Sequence, residues 1–148
     1  MEVLPDLFLG NEADSRGHLG MDPEAVVVNC TADLPFHGCP TTQTQIRIPA
    51  KDNGDPRQQE VFFDAAAAAV PRVLELIMGG KRTLVHCRAG QQRSAAFVVV
   101  LLLASNTCAT VPQAVEFVRS KKPDAFLGGA VNFREAIVRL HGTIENVR

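Results

Sequence analysis

The sequence contains no tyrosine and no tryptophan, and its few aromatic residues, all phenylalanine, make up 5% of 148 residues. Cysteine is also scarce: Cys30, Cys39, Cys87 and Cys108 form no CxxC pair and have no ladder of histidines beside them. This scatter argues against a zinc site and against a disulfide scaffold. We therefore expect no metal, no cofactor and a reducing compartment, the cytoplasm and possibly the nucleus.

Long hydrophobic runs are missing as well. The longest apolar stretch, Ala95 to Ala104, is too short to cross a bilayer. The N-terminus, MEVLPDLFLG, lacks the basic start and apolar run of a secretory signal. The sequence therefore predicts a soluble protein that is not secreted and has no membrane partner.

Neither sign of charge dominates, since the formal net charge is -1. Residues 1–74 nevertheless carry five basic and eleven acidic side chains, whereas residues 75–148 carry ten and five. This balance makes nucleic acid an unlikely partner, although a local basic field in the second half would favour an anionic substrate. Two ordinary solvated faces would give the same counts.

The length and the 46% hydrophobic content fit a single domain over 1–148. The oligomeric state is unknown from sequence.

Short β-type runs and helix signals alternate along the chain. The predicted strands are Leu7–Leu9, Ala25–Cys30, Gln45–Pro49 and Thr83–Cys87. One helix opens at Asp55-Pro56, with Gln58 as a capping-box partner, and closes at Gly79-Gly80, with Pro71 expected to kink or split it. Further helices cover Ala95–Ala104, Val111 to about Lys121 behind a Thr110 cap, and a last segment marked by Phe133, Ile137 and Leu140. This alternation predicts an α/β fold with a central mixed, mostly parallel sheet flanked by helices.

The segment HCRAGQQRS, from His86 to Ser94, joins a predicted strand to a buried helix. Such a loop can point the backbone N–H groups of Arg88, Ala89, Gly90, Gln91, Gln92 and Arg93 at one phosphoryl group. Gly90 suits a turn that other residues cannot adopt. The same dipoles, with Arg93, favour the thiolate of Cys87, and the Arg93 guanidinium matches two phosphoryl oxygens. Ser94 can donate a hydrogen bond to the sulfur, and His86 can brace the loop.

The spacing His-Cys, two residues, Gly, two residues, Arg-Ser resembles the signature of the protein tyrosine phosphatase superfamily. VLPDLFLG, VVVNCTADLP and IRIPAKDNGDP are similar to further segments of its dual-specificity branch. The resemblance implies a compact phosphatase-like fold and hydrolysis of phosphotyrosine, phosphoserine and phosphothreonine in proteins. It further implies a phosphocysteine on Cys87 and a general acid at Asp52, without a metal.

Several alternatives remain open from the sequence. Asp55 rivals Asp52 as the general acid, although a helix cap already explains Asp55. Cys30 is either a small buried strand residue or a disulfide partner of Cys87. The fold could also serve as an RNA 5′-triphosphatase, a phosphoinositide phosphatase or a phosphate-recognition module without turnover. An ungapped alignment puts Gly129-Ala130 where the family often has Pro-Asn, and Ala136 where it has Gln.

Overall fold

The computed structural model describes residues 1–147 and contains one five-stranded sheet. The strands are β1 (Glu2–Leu4), β2 (Leu7–Gly10), β3 (Val26–Asn29), β4 (Thr44–Arg47) and β5 (Thr83–His86). Their order across the sheet is β1-β2-β5-β3-β4, and only β1 runs antiparallel to its neighbour. The mixed, mostly parallel sheet is thus confirmed, and β1 is the one strand that the sequence did not predict.

The helices are α1 (Glu12–Ser15), α2 (His18–Met21), α3 (Arg57–Met78), α4 (Arg93–Ala104), α5 (Val111–Lys121) and α6 (Arg134–Val147), with a short 3₁₀ turn at Leu127–Gly129. Helix α4 is buried at every position from Ser94 to Leu103, as its uniformly apolar sequence predicts. It packs against β5, α3, α5 and α6, and therefore forms the centre of the core. None of the helices in residues 1–147 combines the length and apolarity that crossing a membrane requires.

Helix α3 runs through Pro71 without interruption, so the expected split does not occur. Residues on both sides of the proline, among them Phe62, Ala66, Val70 and Val73, are buried in the core. Their packing keeps the helix continuous although Pro71 cannot donate a backbone hydrogen bond.

The start of α3 differs from the predicted capping box. Asp55 acts as expected, because its carboxylate accepts a hydrogen bond from the Arg57 N–H at 2.9 Å. The Gln58 side chain, however, accepts from the Lys51 N–H at 2.8 Å. Gln58 therefore anchors the segment before the helix, which carries Asp52, instead of closing the cap.

The register of the parallel strands places the functional segment. His86, the last residue of β5, lies between Gly10 of β2 and Asn29 of β3. The chain leaves β5 at the carboxyl edge of the sheet, at the position where open α/β sheets bind ligands.

Candidate active site

Three carbonyl groups of the loop between β5 and α4 accept hydrogen bonds from residues outside the loop. The Arg88, Gln91 and Gln92 carbonyls accept from the N–H groups of Glu12, Phe126 and Ala96 at 3.0, 2.8 and 2.8 Å, respectively. Within residues 1–147, the backbone N–H groups of Arg88 to Arg93 have no acceptor. Together with the N-terminus of α4, these free donors make a cradle for a phosphate-sized anion.

Gly90 gives the loop its turn. Its φ is +71°, in the left-handed region. A β-carbon at this position would lie 2.6 Å from the Gly10 carbonyl oxygen, at the end of β2. Two independent constraints therefore require glycine here.

Cys87 and Ser94 meet at the base of the loop. The Cys87 thiol is only 3% exposed, and its Sγ lies 3.1 Å from the Ser94 Oγ. A thiolate has no proton, so the Ser94 hydroxyl is the donor whenever Cys87 is ionised. The contact predicted between these two residues is therefore present.

The Arg93 side chain reaches the segment before Asp52. Its Nη1 donates a hydrogen bond to the Ala50 carbonyl at 3.1 Å, and the residue is half-buried. Arg93 thus joins the phosphate loop to the segment that carries the predicted general acid.

The Asp52 carboxylate is held by a residue that the sequence did not single out. Asn132, just before α6, donates from Nδ2 to both carboxylate oxygens of Asp52, at 3.0 and 3.2 Å. The ungapped alignment places Gly129-Ala130, and not Asn132, at the position of the family's Pro-Asn pair. The position of Asn132 just ahead of Phe133 and the last helix was the only sequence signal.

The rival carboxylate, Asp55, is already engaged. Hydrogen bonds from Arg57 lower the pKa of Asp55, and the Arg57 guanidinium lies 2.8 Å from its Oδ2. A carboxyl with a lowered pKa is less often protonated near neutral pH and is a weaker candidate for proton donation. The structure therefore favours Asp52.

The His86 ring makes no hydrogen bond of good geometry with the loop, although the neighbouring Cys87 backbone partly offsets the effect of burial on its pKa. The side chain is fully buried, and neither ring nitrogen has a hydrogen-bond partner among residues 1–147. Burial lowers the pKa of His86, which favours the neutral ring. The bracing comes from the main chain, because the His86 carbonyl accepts from the Cys30 N–H at 2.8 Å.

Cys30 directly follows β3 and lies beside this site. It is completely buried, and burial followed by the neighbouring Cys87 raises the pKa of its thiol. Both Cys30 and Cys87 are free thiols in the structure.

The charge of Arg88 is largely balanced locally. Its guanidinium lies 3.1 Å from Asp33 and 3.6 Å from Glu12. Among the described residues, no cluster of three or more His, Cys, Asp or Glu side chains is placed to hold a metal ion.

Comparisons with known proteins agree with this geometry. Residues 7–137 match the family model described as "Dual specificity phosphatase, catalytic domain". The chain is 27% identical over 152 residues to Dual specificity protein phosphatase 1 of Homo sapiens, with 98% of this chain and 40% of that protein covered. The chain thus spans about two fifths of the length of such curated relatives.

Solved structures show the same fold. Human DUSP28 superposes with a TM-score of 0.77 at 19% identity, covering 99% of both chains. OH1 from the Orf virus superposes with a TM-score of 0.68 at 25% identity, covering 95% of this chain and 85% of that one. Its structure is described as that of "a tyrosine phosphatase that displays distinct structural features and triple substrate specificity".

Proposed function

This chain belongs to the dual specificity phosphatase family, and on that premise we propose that it hydrolyses phosphate monoesters on phosphotyrosine, phosphoserine and phosphothreonine side chains of proteins. The observation that carries the proposal is the loop from Arg88 to Arg93. Its backbone N–H groups have no acceptor among the described residues, and the loop begins directly after the Cys87 thiol. A thiol nucleophile next to a set of free backbone N–H groups, which can bind a phosphoryl group, suits phosphoryl transfer.

In the proposed reaction, the Cys87 thiolate attacks phosphorus opposite the leaving oxygen. A sulfur–phosphorus bond forms as the phosphorus–oxygen bond breaks, and Asp52 gives its proton to the departing side-chain oxygen, which leaves as a hydroxyl group. Asp52 then takes a proton from water, whose oxygen attacks phosphorus and releases inorganic phosphate and the thiolate. The loop N–H groups and Arg93 stabilise the charge on the other phosphoryl oxygens, so the reaction runs without a metal.

The composition of the loop supports protein substrates over phosphoinositides. Between Cys87 and Arg93 the only charged side chain is Arg88, and that guanidinium is already paired with Asp33 and Glu12. Little charge is left to bind the additional phosphates of an inositol headgroup or an RNA triphosphate. A phosphate-recognition module is also disfavoured, because Cys87, Ser94, Arg93 and Asp52 all remain at the site.

A reducing compartment, the cytoplasm or the nucleus, suits this chemistry. The reaction needs a free Cys87 thiol, and all four cysteines are free in the structure. The partners in this proposal are phosphorylated proteins.

The first experiment replaces the nucleophile. We expect Cys87→Ser to lower hydrolysis of p-nitrophenyl phosphate at least about a thousandfold while the circular dichroism spectrum stays unchanged. Cys39→Ser is the matched control, because Cys39 is exposed and a hydrogen bond with Thr41 lowers its pKa to about 7. A Cys87→Ser enzyme with full activity, or a Cys39→Ser enzyme without any, would overturn the assignment.

A second experiment separates the two carboxylates. Asp52→Asn should lower kcat for phenyl phosphate, a poor leaving group, by about a hundredfold or more, and much less for p-nitrophenyl phosphate. Asp55→Asn, which weakens an exposed ion pair with Arg57 but keeps an oxygen that can cap α3, should leave the dependence on the leaving group unchanged. The reverse pattern would make Asp55 the acid.

The substrate class is tested by phosphate release from phosphopeptides, phosphoinositides and 5′-triphosphate RNA under one set of conditions. We expect the highest kcat/KM with phosphopeptides that carry phosphotyrosine or phosphothreonine. A higher value with either of the other substrates would replace the protein assignment.

A further inference from the structure

We propose that Asp33 and Glu12 set the substrate selectivity of the site, because they hold the Arg88 guanidinium and so keep it from binding a second phosphate on the substrate. The inference rests on the proposed function, since it concerns which phosphate esters the phosphate loop accepts. It gives a role in substrate choice to two carboxylates that lie outside this loop.

The first step is the position of Arg88. It directly follows Cys87, the residue that receives the phosphoryl group in the proposed reaction. Its side chain is 56% exposed, so the guanidinium lies at the protein surface beside the nucleophile. A guanidinium with free N–H groups binds a phosphate through two parallel hydrogen bonds. An unpaired Arg88 would therefore favour substrates that carry a second phosphate next to the first.

The second step is the pairing of this guanidinium with two carboxylates. Its Nη2 lies 3.1 Å from Asp33 Oδ2, and its Nη1 lies 3.6 Å from Glu12 Oε2. The main chains of Glu12 and Arg88 are also joined, since the Glu12 N–H donates to the Arg88 carbonyl at 3.0 Å. Arg16 shares the Glu12 carboxylate at 3.4 Å. Four side chains thus form a network of alternating charge, in which a second phosphate has to compete for the N–H groups of Arg88.

The third step is the rigidity of the turn that carries Asp33. Thr31 and Asn29 are fully buried, and Thr31 Oγ1 donates to Asn29 Oδ1 at 2.7 Å and accepts from the Leu34 N–H at 3.0 Å. Asn29 Nδ2 donates to the Leu34 carbonyl at 2.9 Å. Arg47 donates to the carbonyls of Thr31 and Leu34 at 3.0 and 2.9 Å. These bonds fix the backbone on both sides of Asp33, so less conformational entropy is lost when its exposed carboxylate pairs with Arg88.

The test compares two soluble inositol phosphates, one with a single phosphate and one with two phosphates on adjacent ring carbons. Both are used as competitive inhibitors of p-nitrophenyl phosphate hydrolysis, and the ratio of the two inhibition constants measures the preference for the second phosphate. We expect the Glu12→Gln/Asp33→Asn protein to favour the bisphosphate at least about fivefold more than the wild type does. Because the charges are exposed, about 0.5 M NaCl should remove most of this gain.

Arg88→Gln assigns the gain to one guanidinium. Added to the double variant, it should return the ratio to within about twofold of the wild-type value, because a neutral amide replaces the charge. In the wild-type background it should change the binding of both inhibitors alike, since the two carboxylates already engage this guanidinium. Arg16 also loses a partner when Glu12 is replaced, and a gain that survives Arg88→Gln would assign it to Arg16 instead.

Glu24→Gln is the matched control. The Glu24 carboxylate is 82% exposed and lies 3.3 Å from Lys81. It precedes β3, at the opposite end of that strand from Asn29 and the Asp33 turn. Its replacement removes an exposed ion pair of the same kind and should leave the ratio at the wild-type value.

An unchanged ratio in the double variant, a gain that survives Arg88→Gln, or a lower ratio for Arg88→Gln alone would each overturn the proposal. All three outcomes are read from an active enzyme, so they leave the proposed function standing. A wild-type protein that does not hydrolyse p-nitrophenyl phosphate would instead remove the proposed function, and this inference with it.

Discussion

At the scale of single residues, Gly90 combines a left-handed backbone with a close approach to a neighbouring strand. Most glycines with positive φ satisfy only the first condition: around Gly80, which has a φ of +86°, nothing lies within 4 Å of a β-carbon position. The difference between the two glycines isolates the contribution of the contact with Gly10.

We expect Gly80→Ala to lower the free energy of unfolding by about 1 kcal/mol, the cost of the left-handed conformation alone, with full activity. Gly90→Ala should cost more, about 2–4 kcal/mol, because its methyl group would meet the Gly10 carbonyl as well. Its phosphatase activity should fall strongly, since the loop must shift. Urea denaturation and p-nitrophenyl phosphate kinetics measure both effects; equal stability losses would show that the contact relaxes without cost.

At the scale of elements, the loop and the helix behind it depend on each other. Helix α4 begins at Arg93, two residues before the predicted Ala95, so Arg93 and Ser94 belong to its first turn. Burial of the apolar residues that follow keeps the helix rigid and holds its free N–H groups toward the loop.

The proline inside α3 yields a prediction at the same scale. Pro71 is exposed and lacks the N–H that would bond to the carbonyl four residues earlier. We expect Pro71→Ala to raise the free energy of unfolding by about 1–3 kcal/mol, seen as a higher denaturation midpoint with normal activity.

Pro112 in the first turn of α5 is the control for this change. An N–H at that position has no acceptor within the helix, so Pro112→Ala should give no gain. A Pro71→Ala protein no more stable than the wild type would mean that core packing has already adjusted to the proline.

At the scale of the whole molecule, folding pairs the acidic first half with the basic second half. Among residues 1–147, five ion pairs join them, including Arg82 with Asp22, Arg88 with Asp33 and Arg139 with Glu60. Four basic side chains of the second half, Lys81, Arg82, Arg88 and Arg139, are thereby paired with carboxylates of the first half. In the proposed reaction, the loop N–H groups and Arg93 attract the phosphoryl group.

Buried His86 makes the stability of the whole molecule depend on pH. Burial lowers its pKa from the ordinary 6.5, so below pH 6.5 the unfolded chain takes up a proton that the folded protein does not. This contribution to stability is fully present above pH 6.5 and is lost as the pH falls toward the folded pKa. The slope from this one group reaches at most about 1.4 kcal/mol per pH unit.

Urea denaturation from pH 7.5 to 5.0 checks this dependence. His86→Gln should be less stable at neutral pH but should lose less stability on acidification than the wild type. His18→Gln, at an exposed position, should keep the wild-type slope. A His86→Gln protein with an unchanged slope would show that other groups govern the acid limb.

The sequence by itself determined the features that short stretches of chain encode. The nine residues from His86 to Ser94 specify a strand end, a turn that needs glycine and the start of an apolar helix, so the phosphate loop could be predicted from local order alone. Alternating strand and helix signals likewise predicted the α/β class, and Thr110 caps α5 as expected.

Only the tertiary structure decided which distant side chains meet at this loop. Asn132 and Asp52 are 80 residues apart, and their contact depends on how α6 docks against α3 and α4. The same holds for Gln58, which binds the Lys51 N–H instead of closing the predicted capping box. Local patterns fix backbone conformation through short-range sterics and hydrogen bonds, whereas side-chain pairing across the molecule follows from the packing of whole elements.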